Sequence, residues 1–405
     1  MVPARITGVD VRMGLGFYAA STALVLGAAW FGYQYVKSSD ERDFLSRLCQ
    51  WDGVWYRQIA EQGYRYDPAT ASAVAFFPAY PLAIRAVRWF TGCRSEWAAL
   101  FVSHLFLAAT FVLLHAYIRT RNPKSEIRSP KSEDFSASLV LLVFALWPAT
   151  FFFRLAYSEA LFTFWCVLAL YGCRCGWHPA WLALVAGAAS GTRAAGVVFV
   201  ALPLLMWWQR CGSWRRFLGG ALWLAPLSVW GLVAYMVYQA SAFGNPLAFA
   251  EAQRHWSYRA DPTGLNAPVA LLILQPVWET YDPGSFFYWR RWHPVPDALF
   301  CLYAANPVYF VLVATAVLWG WRARWLTPAE VLLGLGLLLV PYLSRAYPSS
   351  MISFGRFSAV AVPAYLVLGH WLGRLSPGWI GLVGAALALW LVAYAALVGA
   401  LWWLI

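Results

Sequence analysis

An all-α, multi-pass membrane protein is the fold class this sequence predicts, on three observations. Of its 405 residues 61% are hydrophobic and only 12% charged, too little polar surface to coat a water-soluble chain of this size. Hydrophobic runs long enough to cross a bilayer recur from end to end. The 26 tryptophans and 21 tyrosines suit two belts at the membrane interfaces. Composition alone leaves transporter, channel and membrane enzyme open.

Taken in order, the runs predict spans near 13–35, 98–118, 137–153, 159–173, 180–208, 217–239, 298–320, 328–344, 357–373 and 378–404, or about nine to eleven transmembrane helices. The first, Met13–Tyr35, is too long for the core of a signal peptide and lacks a small-residue cleavage pattern, so it is expected to remain as an anchor. Basic connectors set the orientation. Arg5, Arg12, the stretch 119–136 with Arg119, Arg121, Lys124, Arg128 and Lys131, then Arg210/Arg215/Arg216, Arg322/Arg324 and Arg374 are all expected in the cytoplasm. The 119–136 connector also holds the near-duplicate RNPKSEI/RSPKSE and reads as a disordered loop.

That orientation has two consequences. Ala73–Phe90, interrupted by prolines, Arg85 and Arg88, cannot be a full crossing and is expected to lie at the outer interface. The 180–208 run has cytoplasmic flanks on both sides, and as one helix it would reach about 44 Å. A hairpin of two short helices with Arg193 near its tip is expected, against the alternative of one long tilted helix. The outer face then receives 37–97, a large first loop carrying interfacial helices, and 240–297, a second large loop, with Arg154–Glu159, Arg193 and 345–356. Thirteen of the 18 acidic residues fall on this side, so acid–base chemistry is expected there.

The net charge of +12 comes without a clustered basic stripe and is accounted for by cytoplasmic loops, so no nucleic-acid partner is expected. The seven cysteines are scattered in apolar segments and read as small core residues, not as metal ligands. No Asn-x-Ser/Thr sequon occurs, which favours a bacterial inner (plasma) membrane.

Five motifs stand out on the outer side. Asp52, in Trp51-Asp52-Gly53-Val54-Trp55-Tyr56, opens a helix at a membrane surface, where a carboxylate is either an N-cap or a catalytic group. Glu159, in Tyr157-Ser158-Glu159-Ala160, is either part of a helix cap or a functional acid at the edge of the apolar zone. Arg193 lies between apolar half-helices and must pair with a carboxylate, with carbonyls or with a phosphate anion. His255 follows the Gly244-Asn245-Pro246 turn and is either packed or in contact with substrate. Arg356 either anchors its helix at the headgroups or holds a phosphate. There is no Gly-rich phosphate loop, nucleotide fold, metal array or Gly-x-Ser-x-Gly elbow, so a transferase would draw on a lipid-phosphate sugar and not on a soluble nucleotide sugar. No cofactor or metal is expected.

Trp51-Asp52…Tyr56…Gly63-Tyr64, Phe76-Phe77-Pro78-Ala79-Tyr80-Pro81-Leu82, Pro148-Ala149…Tyr157-Ser158-Glu159-Ala160, Thr192-Arg193-Ala194-Ala195-Gly196 and Gly355-Arg356…Pro363, in that order, resemble the PIG-V family of GPI mannosyltransferase II proteins and their bacterial relatives over roughly 45–370. The resemblance implies the GT-C class of integral-membrane glycosyltransferases. It implies a polyprenyl-phosphate mannose donor, inversion at the sugar carbon, and a glycolipid or other glycan acceptor. It also implies Asp52 as the base; beside it, Trp51, Tyr56, Tyr157, Glu159, Arg193, His255 and Arg356 are the candidate substrate-binding residues. A transporter or flippase of lipid-linked sugars remains the alternative.

Overall fold

The computed structural model describes residues 5–36, 41–121, 130–259, 266–292 and 298–402, and among them it is built of helices and turns. Helix α1 (Gly8–Tyr35) begins in a capping box, Thr7 with Asp10, which satisfies orphan backbone donors at the N-terminus. Two short helices, α2 (Phe44–Leu48) and α3 (Asp52–Gln62), precede α4 (Ala79–Thr91). At 13 residues, α4 is about 20 Å long and too short to cross a bilayer. Its Leu82, Trp89 and Phe90 are exposed, while Arg85 donates to the carbonyls of Ile59 and Ala60. This is the non-crossing helix expected over Ala73–Phe90.

The apolar helices then follow: α5 (Ser95–Arg121), α6 (Pro130–Leu146), α7 (Glu159–Arg174), α8 (Pro179–Ser190), α9 (Ala201–Cys211), α10 (Trp214–Leu227) and α11 (Trp230–Phe243). After α6 the chain bends by 78° into Pro148–Arg154. Pro148 excludes the helical conformation at Trp147, whose ψ is 124°. Within the expected hairpin, α8 ends at Gly191 and Arg193 is fully extended (φ −154°, ψ 151°). The chain then returns through Ala194–Val200 and α9, so that Arg210 donates to the carbonyls of Gly176 and Trp177. The two ends of the pair meet, so the run is a hairpin and not one long helix. Of the connector expected to be disordered over 119–136, Arg119–Arg121 complete α5 and α6 starts at Pro130, while 122–129 lie outside the described residues.

Short helices α12 (Ala248–Ala252), α13 (Asn266–Leu272), α14 (Gln275–Glu279) and α15 (Trp289–Trp292) fill the described part of 240–297. The last crossing elements are α16 (Leu302–Arg322) and α17 (Pro328–Pro341), then a π-helical turn at Tyr342–Ala346, α18 (Tyr347–Ser349), α19 (Phe354–Ala359), α20 (Val362–Leu372) and α21 (Pro377–Gly399). Among the described residues six helices are long and apolar enough to cross a membrane, or up to eight if each bent pair is one span, and α8 and α20 are shorter apolar helices. With α7, they account for the hydrophobic runs read from the sequence. The chain is an integral membrane protein.

One end of the bundle is tied by charge. Asp10 accepts from Arg119 and contacts His115, Glu330 pairs with Arg121, and Arg174 donates to the Thr120 carbonyl. Near the other end of α1, it and α21 pack backbone to backbone. A Cβ on Gly32 would fall 1.8 Å from the Ala396 carbonyl oxygen, and one on Gly399 equally close to that of Ala29. Small residues at such contacts let helices approach without side chains between them. Gly32→Leu is therefore expected to destabilise the protein by about 3 kcal/mol. Gly27→Leu, on the same helix with open space around it, is expected to leave stability unchanged. Equal thermal unfolding midpoints for the two variants would disprove the contact.

Candidate functional site

The opposite end of the bundle gathers the irregular segments: α2–α4, the 154–159 turn, the hairpin tip, the second large loop, and the stretch from the π-turn to α19. Ala79 donates to the Gly191 carbonyl, and Tyr258 donates to that of Pro348.

Asp52 is the first residue of α3, and Trp51 occupies the N-cap without a side-chain cap bond. The capping alternative for Asp52 therefore fails. Trp51 has φ 54°, an uncommon conformation for a bulky residue. It sits between the short helices α2 and α3, directly before Asp52. There the Asp52 carboxylate accepts from Arg356 at 2.6 Å.

Arg356 reaches a second carboxylate through Nε, 3.1 Å from Glu159 Oε1, and that same oxygen lies 2.5 Å from Arg193 Nη1. Four residues separated by as many as 304 positions thus form one chain of charge: Asp52, Arg356, Glu159, Arg193. Aromatic faces wall it in. The Arg356 guanidinium sits over Tyr157 at 5.3 Å and Phe152 at 5.6 Å, and Arg193 sits over Phe357 at 5.5 Å, arrangements that favour a desolvated cation. Burial opposes the charge on Arg356, but the Asp52 and Glu159 carboxylates outweigh it and raise this guanidinium above its ordinary value.

Exposure separates the two acids. The Glu159 side chain is 1% exposed and that of Asp52 is 26% exposed. Asp52 is the carboxylate that a solvent-borne or lipid-borne group can reach, and Glu159 is a sealed counterion. Ser158 makes no cap bond. Its hydroxyl instead meets Tyr56 Oη at 2.9 Å and accepts from Arg193 Nη1 at 3.4 Å. Burial pushes the Tyr56 phenol up, so it stays neutral and holds Ser158 in place.

Arg356 owes its position to Gly355. That residue donates its backbone N–H to Asn306 Oδ1 at 2.9 Å, and a Cβ there would fall 2.6 Å from the same atom. Arg356 is also nearly enclosed, 8% exposed, which is incompatible with an anchor at the headgroups.

The structure thus brings together Asp52, Glu159, Arg193 and Arg356, with Tyr56 and Tyr157 against them. Trp51 flanks them through the backbone. His255 is elsewhere: its Nε2 contacts the Pro68 carbonyl at 2.9 Å and its side chain is exposed. The phosphate-holding role expected of Arg193 and Arg356 meets a competitor, because each already contacts a carboxylate.

One cation escaped the sequence reading. Arg345, in the π-turn, donates to Gln253 Oε1 at 2.7 Å and lies within electrostatic range of Arg356 and Asp52. A signal for it existed: an arginine ending a long apolar run with no acid near it in sequence. Among the described residues no group of three or more His, Cys, Asp or Glu side chains could hold a metal ion.

Comparison with known proteins places this geometry in context. Residues 19–214, which include Asp52, Glu159 and Arg193, match the family model described as Mannosyltransferase (PIG-V). The GPI alpha-1,6-mannosyltransferase 2 of Rattus norvegicus is 33% identical over 197 residues, 47% of this chain and 36% of that protein. The protein of that name from Cricetulus griseus is 32% identical over 236 residues, 57% of this chain and 44% of its own. That of Homo sapiens is 30% identical over 210 residues, 50% and 39%. The chain thus matches less than half the length of these relatives. Among solved structures, an Archaeoglobus fulgidus oligosaccharyltransferase overlaps 95% of this chain and 53% of its own, with TM-score 0.46 and 12% identity. Over its matched segment this chain is similar to the PIG-V mannosyltransferases and to the GPI alpha-1,6-mannosyltransferase 2 proteins.

Proposed function

We propose that this protein is a glycosyltransferase of the GT-C class. It moves a mannosyl unit from a polyprenyl-phosphate donor to a hydroxyl of a glycolipid or other glycan acceptor. The observation that carries the reading is the reachable Asp52 carboxylate, held at 2.6 Å by Arg356 against a sealed second acid. A single open carboxylate suits an inverting displacement, in which one base deprotonates the incoming hydroxyl.

The step balances as follows. The acceptor O–H gives its proton to Asp52, and its oxygen forms the new bond to the anomeric carbon. The bond from that carbon to the phosphate oxygen breaks, and its electron pair leaves with the phosphate. The lipid phosphodiester becomes a phosphomonoester with one more negative charge as Asp52 becomes neutral. Protonation of Asp52 loosens its claim on Arg356, whose guanidinium is then available to the anion forming beside it. The timing matters, because a donor that strengthens only as charge develops stabilises the transition state more than the ground state.

The reaction face is proposed to be the outer one, the periplasmic side of a bacterial inner membrane. Support comes from the distribution of cations: Arg119, Arg121, Arg174, Arg210 and Arg374 make their contacts at the end of the bundle away from the acidic cluster.

The test uses purified protein in lipid, supplied with polyprenyl-phosphate mannose and membrane lipid extract, with product identified by mass. A hexose added to a lipid or glycan is expected from this donor and not from a nucleotide sugar. Movement of donor across the vesicle without a new glycosidic bond would replace the enzyme reading with a transporter.

A further inference from the structure

The charge chain is neutral as it stands: Asp52 and Glu159 against Arg193 and Arg356. A lipid-linked phosphosugar carries a negative charge on its phosphate before any bond breaks. Bringing it into a neutral, largely desolvated cluster costs free energy unless a further cation receives it. Arg345 is that cation. Among the described residues it contacts no carboxylate, and its bonds go to the Gln253 side chain at 2.7 Å and the Gln253 carbonyl at 3.5 Å.

Gln253 is neutral, and it joins three parts of this end of the molecule. Its Nε2 donates to the Ala75 carbonyl at 3.2 Å, and it opens the short Gln253–Trp256 helix. Trp256 in that helix packs edge-on against Trp55 and Phe76, with centroids 6.0 Å away in both cases. Trp55 belongs to α3, the helix that Asp52 begins. Gln253 is thus tied to α3 through Trp256 and Trp55, and Arg345 lies within electrostatic range of Asp52 and Arg356.

The backbone around the two arginines is irregular in the same stretch. Arg345 sits in a π-turn, and Ser350 and Ser353, between it and Arg356, have φ 52° and 65°. π-Turns and positive-φ residues other than glycine are costly and collect where function requires a side chain in one place. Here one segment places two cations, Arg356 on the Asp52 carboxylate and Arg345 on Gln253.

We propose that Arg345 is the anion anchor of this site: it receives the phosphate of a prenyl-phosphate ligand, which displaces the Gln253 amide. A guanidinium fork suits two phosphate oxygens at once. The anchor takes the charge already present in the donor, and Arg356 answers the charge that appears during transfer. The division of labour rests on the glycosyl-transfer reading. The anion site itself does not.

The test measures binding of a polyprenyl phosphate to the full chain in lipid nanodiscs through tryptophan fluorescence, since Trp256 adjoins the site, with inorganic phosphate as a separate arm. Arg345→Gln is expected to weaken polyprenyl phosphate binding about tenfold or more, and Arg345→Lys to keep part of the affinity. Gln253→Glu leaves Arg345 in place but supplies the missing counterion, and it is expected to weaken binding as much as Arg345→Gln does. Unchanged affinity in Arg345→Gln overturns the proposal. If Arg345→Gln does not fold, unchanged affinity in Gln253→Glu overturns it.

Tighter binding of the polyprenyl phosphate than of inorganic phosphate supports the lipid ligand. Equal binding of the two overturns that part and assigns the site to free phosphate. A wild-type protein that binds in an Arg345-dependent way yet transfers no mannose keeps the anchor and rejects the glycosyl-transfer reading. A wild-type protein that transfers mannose, with an Arg345→Gln variant unchanged in donor KM, does the reverse.

Discussion

Asp52→Asn is expected to remove mannosyl transfer, lowering the single-turnover rate by about 10²–10⁴-fold, while the protein remains folded. The asparagine oxygen still accepts a hydrogen bond from Arg356, so the geometry survives, and Glu159 at 3.1 Å from Arg356 Nε continues to balance that cation. What is lost is the capacity to take a proton from the acceptor. The loss should appear in the chemical step and not in donor binding, because the donor phosphate is addressed by cations and not by this carboxylate. Single-turnover transfer at saturating donor, compared with polyprenyl phosphate binding to the same variant, separates the two. A variant that transfers at the wild-type rate would exclude Asp52 as the base.

Glu159→Gln is expected to act on stability. The Glu159 carboxylate is 1% exposed and lies against Arg193 and Arg356 at once, so removing its charge leaves two buried cations facing a neutral amide. Loss of one partner from a buried pair costs about 3–5 kcal/mol, and the cost should show as a lower midpoint in denaturant or thermal unfolding in detergent. The decisive variant is the double change Glu159→Gln with Arg193→Gln, which restores neutrality. It is expected to recover much of the lost stability, because the penalty of the single change is the uncompensated charge. A double variant whose loss equals the sum of the two single losses would show that the pair is not coupled.

Much of the site was legible in linear form. Asp52, Glu159, Arg193 and Arg356 each stand out because a charged residue at the edge of an apolar run is expensive and rarely incidental. The hairpin around Arg193 was legible from length and charge together, since one helix could not return a 29-residue run to the side it left. The short amphipathic α4 was legible from its prolines and arginines.

The partners were not. That Arg193 would pair with Glu159, 34 positions away, and Arg356 with Asp52, 304 positions away, depends on which helices neighbour one another in the bundle. Transmembrane helices of similar composition offer no pattern that encodes their neighbours. The same holds for His255, whose motif resembles a substrate contact but whose imidazole meets the Pro68 carbonyl. Arg345 was overlooked for a related reason. In sequence it only ends an apolar run with no acid near it, and its contacts to Gln253 in place of a carboxylate emerge only in the folded chain.

The sequence by itself determined that the chain is helical and membrane-embedded, which residues resist burial, and that the charged motifs belong to one face. These are local or additive properties: hydropathy accumulates residue by residue, and loop charge follows from counting. Only the tertiary structure decided which acid is open and which is sealed, and which arginine is left over. Those are properties of pairs and of enclosure. A carboxylate's role depends on whether a guanidinium or a substrate occupies the space in front of it, and the chain acquires that space only when its helices close around it.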